Sequence, residues 1–159
     1  MANRSLDRAA TARRSEYPAA SSPAVAASMR ANRRVGTKPE AALRSALQRR
    51  GLRFRKDFPV RVPGTTVRPD IVFTRAKVAV FVDGCFWHCC PQHGTRPATN
   101  RDYWDPKLDA NVARDRTVTE RLKLGGWTVL RVWEHVPVDE AAEAVAATLN
   151  SRTRDARDV

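Results

Sequence analysis

Apolar positions along the chain fall into blocks of different period, and each block predicts one element. From Thr37 the pattern is helical, with Leu43, Ala46 and Leu47 recurring at helix spacing. Thr37 is placed to cap that helix, Pro39 is tolerated in its first turn, Glu40 is the reciprocal partner of a capping box, and Gly51 stops it. Leu52 to Val62 alternates basic and apolar residues, as a half-buried strand or hairpin arm does, and Pro63-Gly64-Thr65-Thr66 reads as a turn. Arg68 to Phe73 is a strand entered through Pro69, where a missing N–H does least harm. After the short connection Arg75-Ala76-Lys77, Val78 to Val82 is apolar on both faces and so predicts a central strand. Residues 94–106 read as a loop carrying the aromatic pair Tyr103-Trp104. From Asp109 to Leu124 the period is helical again, with Val112, Val118 and Leu122 on one face and Gly125-Gly126 as the stop. Trp127 to Trp133 predicts a further strand, and Asp139 to Leu149 an alanine-rich helix. Helix, three strands, helix, strand, helix is the order of a mixed α/β layer structure.

The ends lie outside this pattern. Residues 1–28 are rich in Ala, Ser and Arg without periodicity and read as a disordered arm; residues 29–150 form one domain, and residues 151–159 a frayed tail. A length of 159 residues suits a single core. No apolar run approaches the ~18–20 residues that span a bilayer, and no apolar segment follows the N-terminal arginines as a secretory signal requires. A cytoplasmic protein that avoids membranes is expected.

Charge narrows the class of partner. The formal net charge is +12, and arginine supplies 24 of the 29 basic residues. Arginine suits bidentate phosphate contacts better than lysine does, so nucleic acid is the expected ligand of this surface. All three cysteines and two of the three histidines lie between Cys85 and His93. An odd, crowded set of thiols argues against a disulfide framework and for reduced cysteines, packed or holding metal.

The chemistry concentrates at the ends of two strands. Asp70 opens one strand and Asp83 closes the next, so in an antiparallel pair both carboxylates meet at one end of the sheet. Two acids brought together repel unless a cation lies between them, and a hard ion such as Mg²⁺ is the natural one. Pro-Asp followed by a strand bearing a second acid is the skeleton of a restriction-endonuclease-like core. Cys85 occupies the place where that superfamily usually has a lysine, and His88 is the nearest group able to take a proton from water. Cys89, Cys90 and His93 have the short spacing of half a zinc site, with Asp115 and His135 as unassigned candidates for the rest. Phe86, Trp87, Tyr103 and Trp104 suit either a core or a surface that stacks on bases.

Taken together, Met29-Arg30 to Asn32-Arg33, Thr37-Lys38-Pro39-Glu40, Arg68-Pro69-Asp70, Phe81 to His88, Cys90-Pro91, Asn111 to Arg116, Gly126-Trp127 and Val132 to His135 resemble the very short patch repair (Vsr) endonucleases over residues 29–135. That resemblance implies a restriction-endonuclease-like α/β fold, with a mixed central sheet flanked by helices and a structural zinc. It implies an endonuclease that nicks one strand beside the thymine of a T·G mismatch. Asp70 would bind Mg²⁺ with the backbone carbonyl of Val82, His88 would be the general base, and Glu40 would help to orient the site. Cys90, His93, Asp115 and His135 would hold Zn²⁺. Phe86, Trp87 and Trp104 would wedge into the duplex, and the arm at Met29 and Arg30 would pack over it. A monomer acting with mismatch-repair proteins and a repair polymerase is the implied setting. Asp83 stands where some members carry histidine, which leaves catalysis, metal binding or neither as its role, and Cys89 stands where glycine is common. The rival readings are a restriction-like nuclease that cuts both strands at unmodified sites and a zinc-stabilised DNA-binding module without catalysis.

Overall fold

A four-stranded sheet carries the functional residues at one end and a helical layer on each face. The computed structural model describes Ser22, Pro23 and residues 36–155. Met29 and Arg30, expected on the DNA-packing arm, lie outside the described residues. All the elements below belong to one compact unit, Arg33–Val159.

Helix α1 (Lys38–Arg49) begins as the capping box demands. The Glu40 backbone N–H donates to Thr37 Oγ1, while the Glu40 carboxylate reaches back to the Thr37 hydroxyl and to the Gly36 N–H. Strands β1 (Arg55–Lys56), β2 (Val60–Val62), β3 (Thr65–Val67), β4 (Ile71–Phe73) and β5 (Val78–Asp83) follow, then helix α2 (Arg101–Leu124), strand β6 (Thr128–Trp133) and helix α3 (Val138–Asp155). The sheet runs β1-β4-β5-β6, with β4 and β5 antiparallel and β5 and β6 parallel. The apolar run of β5 is therefore central, as its two buried faces require. β2 and β3 form a separate hairpin, with Val62 opposite Thr65. Thr65 and Thr66 thus belong to a strand rather than to the turn, which contracts to Pro63 and Gly64.

Alternation along the strands builds two cores. Ile71, Phe73, Val78, Val80 and Val132 face α1 and α3 and pack on Leu43, Ala46, Leu47, Ala142 and Val145. Val72 and Ala79 face the other way, toward Leu122 of α2 and the hairpin residues Val60 and Val67. A sheet buried on both sides by helices is the mixed α/β architecture expected.

Two boundaries differ from the pattern. Helix α2 starts at Arg101, so Tyr103 and Trp104 lie on a helix and Pro106 inside it. Packing outweighs the proline here. Trp104 is 7% exposed and its ring meets those of Phe86, Trp87 and Tyr103, while Asn100 accepts the left-handed backbone (φ 56°) from which the helix sets out. Helix α3 continues to Asp155, past the expected end at Leu149. No helix among the described residues is long and apolar enough to cross a membrane.

Candidate active site

The antiparallel register of β4 and β5, Ile71 opposite Val80, brings the start of one strand beside the end of the other. Asp70 Oδ2 accepts a 2.8 Å hydrogen bond from the Val82 N–H, so the carboxylate lies against the backbone expected to share its metal. Burial pushes the Asp70 carboxyl up to about 6 against the pull of that bond, and the charges of Glu40, Asp83 and Asp57 push in the same direction. Glu40 is the strongest of these three acidic neighbours. It is 3% exposed and partnered by Arg44 at 3.3 Å as well as by its capping contacts. The pairing expected here, Asp70 with Asp83, is not what the site shows: Asp83 is taken by Arg131, and Glu40 is the leading acidic neighbour of Asp70.

Asp83 points to the α2 face of the sheet and is engaged there. Arg131 Nε and Nη2 donate to its two oxygens at 2.6 and 2.7 Å. Arg131 also reaches Asp115 Oδ1 at 3.0 Å, and its guanidinium lies over the Phe81 ring. The parallel register sets Phe81 opposite Arg131, which places Arg131 on the same face as Asp83 two residues on.

His88 joins this network from the turn after β5. Its N–H donates to the Gly84 carbonyl, and its Nδ1 lies 2.5 Å from Asp115 Oδ2 and 3.8 Å from Asp83 Oδ1. Burial raises the Asp115 carboxyl, but the His88 hydrogen bond and the charge of Arg131 outweigh it and hold the group below the usual carboxylate range. An ionised Asp115 can only accept, so Nδ1 is the donor, and in a neutral imidazole so held Nε2 carries the lone pair. That is the arrangement of an oriented general base.

The soft ligands gather separately. One ligand atom from each of Cys85, Cys90, His93 and His135 lies within 4.8 Å of the others. Cys85 Sγ is 3.1 Å and Cys90 Sγ 3.7 Å from His135 Nδ1, and the rings of His93 and His135 are 4.2 Å apart. Asp115, expected as the fourth member, stands with His88 and Arg131 instead, and Cys85 fills its place. The backbone makes the cluster tight. The Gly94 N–H donates to the Cys90 carbonyl at 2.7 Å, and a Cβ on Gly94 would fall 2.5 Å from that same oxygen. Cys89 takes a left-handed conformation (φ 53°) and is outside the group. Burial and the neighbouring Cys90 push the Cys85 thiol up to about 11. Burial also raises Cys90, but backbone N–H groups, led by that of His93, bring its thiol below the ordinary value. Two thiols and two imidazoles at this separation are a donor set that fits a tetrahedral Zn²⁺.

Three aromatic rings adjoin the turn. Phe86 and Trp87 are half-buried, with centroids 5.0 Å apart, and both rest on Trp104, at 5.5 and 6.0 Å. Asn111 Nδ2 ties the Trp87 carbonyl to α2 at 3.1 Å. Trp104 is thus the floor of the ridge, and the first two rings are its accessible edge.

Two residues of the site are not singled out by the residue pattern. Cys85 stands in the place of a lysine, although a third thiol five residues before Cys90 completes a purely N/S set without an acid. Arg131 lies inside the apolar strand Thr128–Trp133, where a lone guanidinium facing the core requires a carboxylate partner.

Residues 22–93 match the family described as DNA mismatch endonuclease Vsr. The chain is 59% identical over 135 residues to the Type II nicking enzyme V.NaeI of Lentzea aerocolonigenes, covering 84% of this chain and 81% of that protein. It is 44% identical over 110 residues to the Type II nicking enzyme V.NmeDIP of Neisseria meningitidis serogroup C, covering 67% and 71%. With the DNA mismatch endonuclease Vsr of Escherichia coli (strain K12) the identity is 40% over 107 residues, covering 67% and 66%.

Proposed function

Because the chain belongs to the Vsr family of DNA mismatch endonucleases, we propose that it nicks one strand of duplex DNA beside the thymine of a T·G mismatch. The observation that carries this reading is the His88–Asp115 pair, with His88 on the turn that leaves the strand facing Asp70 and Asp115 on α2. Binding of DNA needs neither an oriented imidazole nor a half-buried carboxylate raised toward neutrality. Relatives named as nicking enzymes support a cut in one strand rather than two.

In this reading Asp70 and the Val82 backbone carbonyl would hold a Mg²⁺ ion, with Glu40, engaged by Gly36, Thr37 and Arg44, helping to orient the site. The fit rests on the raised Asp70 carboxyl, whose ionised form is disfavoured by burial and by neighbouring acids until a cation compensates it. When bound, the ion supplies polarisation of the scissile phosphodiester and stabilisation of the leaving oxygen. His88 takes the proton of the attacking water at Nε2, and Asp115 keeps the ring turned and supports the imidazolium that results. Cys85, Cys90, His93 and His135 hold a structural Zn²⁺ that fixes the catalytic turn to the exit of β6. Phe86 and Trp87 press between base steps, backed by Trp104. A mispaired step is less costly to unstack, which favours flawed duplex. The partner is then duplex DNA in the cytoplasm, cut by a monomer and handed to mismatch-repair proteins and a repair polymerase.

The test is nicking of end-labelled duplexes that differ only in one T·G or T·A pair, with and without Mg²⁺. Mg²⁺-dependent cleavage of one strand of the T·G duplex alone is expected. Equal cutting of both duplexes, or cutting of both strands, indicates a restriction-like nuclease and refutes the repair reading. Binding without any cut indicates a DNA-binding module.

A further inference from the structure

Two carboxylates compete for one imidazole nitrogen in this site. Asp115 Oδ2 is 2.5 Å from His88 Nδ1, and Asp83 Oδ1 is 3.8 Å from the same atom. The two would orient the ring differently, because Asp83 ends β5 whereas Asp115 projects from α2. Arg131 treats them unequally. It takes both oxygens of Asp83, through Nε and Nη2, but only Oδ1 of Asp115. Oδ2 of Asp115 is thereby left for His88, and Asp83 has no oxygen outside the guanidinium fork.

We infer that Arg131 is a positioning residue that decides which acid orients His88, by sequestering Asp83 and presenting Asp115. The guanidinium is itself held on several sides, with Nη1 3.5 Å from Thr119 Oγ1 and Cζ 4.8 Å from the centre of the Phe81 ring. A planar five-donor group is suited to this work, because its fork fixes two carboxylates at set angles where an ammonium would bind only as a point charge. The same grip keeps Asp83 from joining Asp70 as a metal ligand, so the acids of the two faces act separately. This assignment rests on the nicking reading for its kinetic consequence, but not for its geometry.

The experiment compares wild type, Arg131→Met, Arg131→Lys and the double variant Arg131→Met/Asp83→Leu, all loaded with zinc. Replacing a buried ion pair by apolar residues of similar volume is commonly neutral for folding, so the double variant separates positioning from fold support. In Arg131→Met the freed Asp83 competes for His88, and kcat on the T·G duplex falls by about tenfold to a hundredfold, the cost of a misplaced reacting group. KM stays within about twofold, because removing a group that acts only on the chemical step leaves substrate binding intact. Arg131→Lys, which keeps the charge without the fork, recovers only part of the rate. The double variant, which has no competitor, recovers most of it.

Imidazole N–H proton resonances of the DNA-free protein supply a readout independent of activity. A downfield Nδ1 proton of His88 that is lost in Asp115→Asn, shifted in Arg131→Met and restored in the double variant is expected. A rise in KM with kcat unchanged would make Arg131 a DNA contact, and a folded double variant no faster than Arg131→Met would refute the competition. A wild type that never nicks but shows the resonance pattern overturns the nicking reading alone.

Discussion

Replacing Asp70 by Asn should stabilise the Mg²⁺-free protein while abolishing nicking. The carboxyl is raised from its ordinary 3.8 to about 6, by burial first and by the charges of Glu40 and Asp83 next. At roughly 1.4 kcal/mol per tenfold, that rise disfavours the ionised form by about 3 kcal/mol. Residual solvent contact and relaxation lower the measurable gain to about 1–3 kcal/mol. Asparagine retains an oxygen able to accept the Val82 N–H, so the substitution removes the charge and little else. The folded protein holds its Asp70 proton up to about pH 6, whereas the unfolded chain releases it near 3.8. Wild-type stability relative to the variant therefore falls as pH rises across that window and is level above it. Urea unfolding of the zinc-loaded proteins between pH 4 and 8 measures the difference, which should vanish near pH 4 and reach its full value above pH 6. Millimolar Mg²⁺ should then stabilise wild type, by the logarithm of its concentration over Kd, and leave the variant unmoved. A variant less stable than wild type at pH 7.5 without Mg²⁺, or a difference that ignores pH, refutes the view of Asp70 as a carboxylate strained for want of a cation.

The other expectations concern the turn and its neighbours. His88→Ala should lower the single-turnover rate by about 10²–10⁴, the usual range for a general base, with duplex affinity by gel shift nearly unchanged; normal nicking would remove His88 from the chemistry. Cys85→Ser should lose zinc by metal analysis and unfold at lower temperature, while Cys89→Ser and Asp115→Asn keep the metal; zinc loss in Asp115→Asn would restore the acid to the ligand set. Trp87→Ala should weaken binding to a T·G duplex by about 1–3 kcal/mol, the value of one stacked base. Trp104→Ala, at the buried floor, should instead reduce stability by about 3–5 kcal/mol; equal and purely DNA-binding effects would make both residues edge contacts.

What could be read from the residue order was set by how local each determinant is. The capping box at Thr37 and Glu40 is decided within one helical turn, and β5 declares its central place through the apolar run Val78 to Val82. Pro69-Asp70 and His88 are legible for the same reason, since one lies at the entry of β4 and the other on the turn just after β5. The fate of Asp115 was not local. Its spacing after Val112 shows a partly buried acid on α2, but whether that acid meets thiols or an imidazole depends on how α2 lies across β6. Charge could have decided it. Arg131 is the strand's own basic group on the α2 face, and a guanidinium there draws the nearest acids to itself and away from a zinc site. With Asp115 held by His88 and Arg131, Cys85 and Cys89 are the thiols left to complete the soft cluster, and it is Cys85 that joins it, Cys89 lying outside the group. The single residue that sequence periodicity treats as an interruption of β6 thus separates two acids of the site, gripping both oxygens of Asp83 while leaving Asp115 Oδ2 to His88.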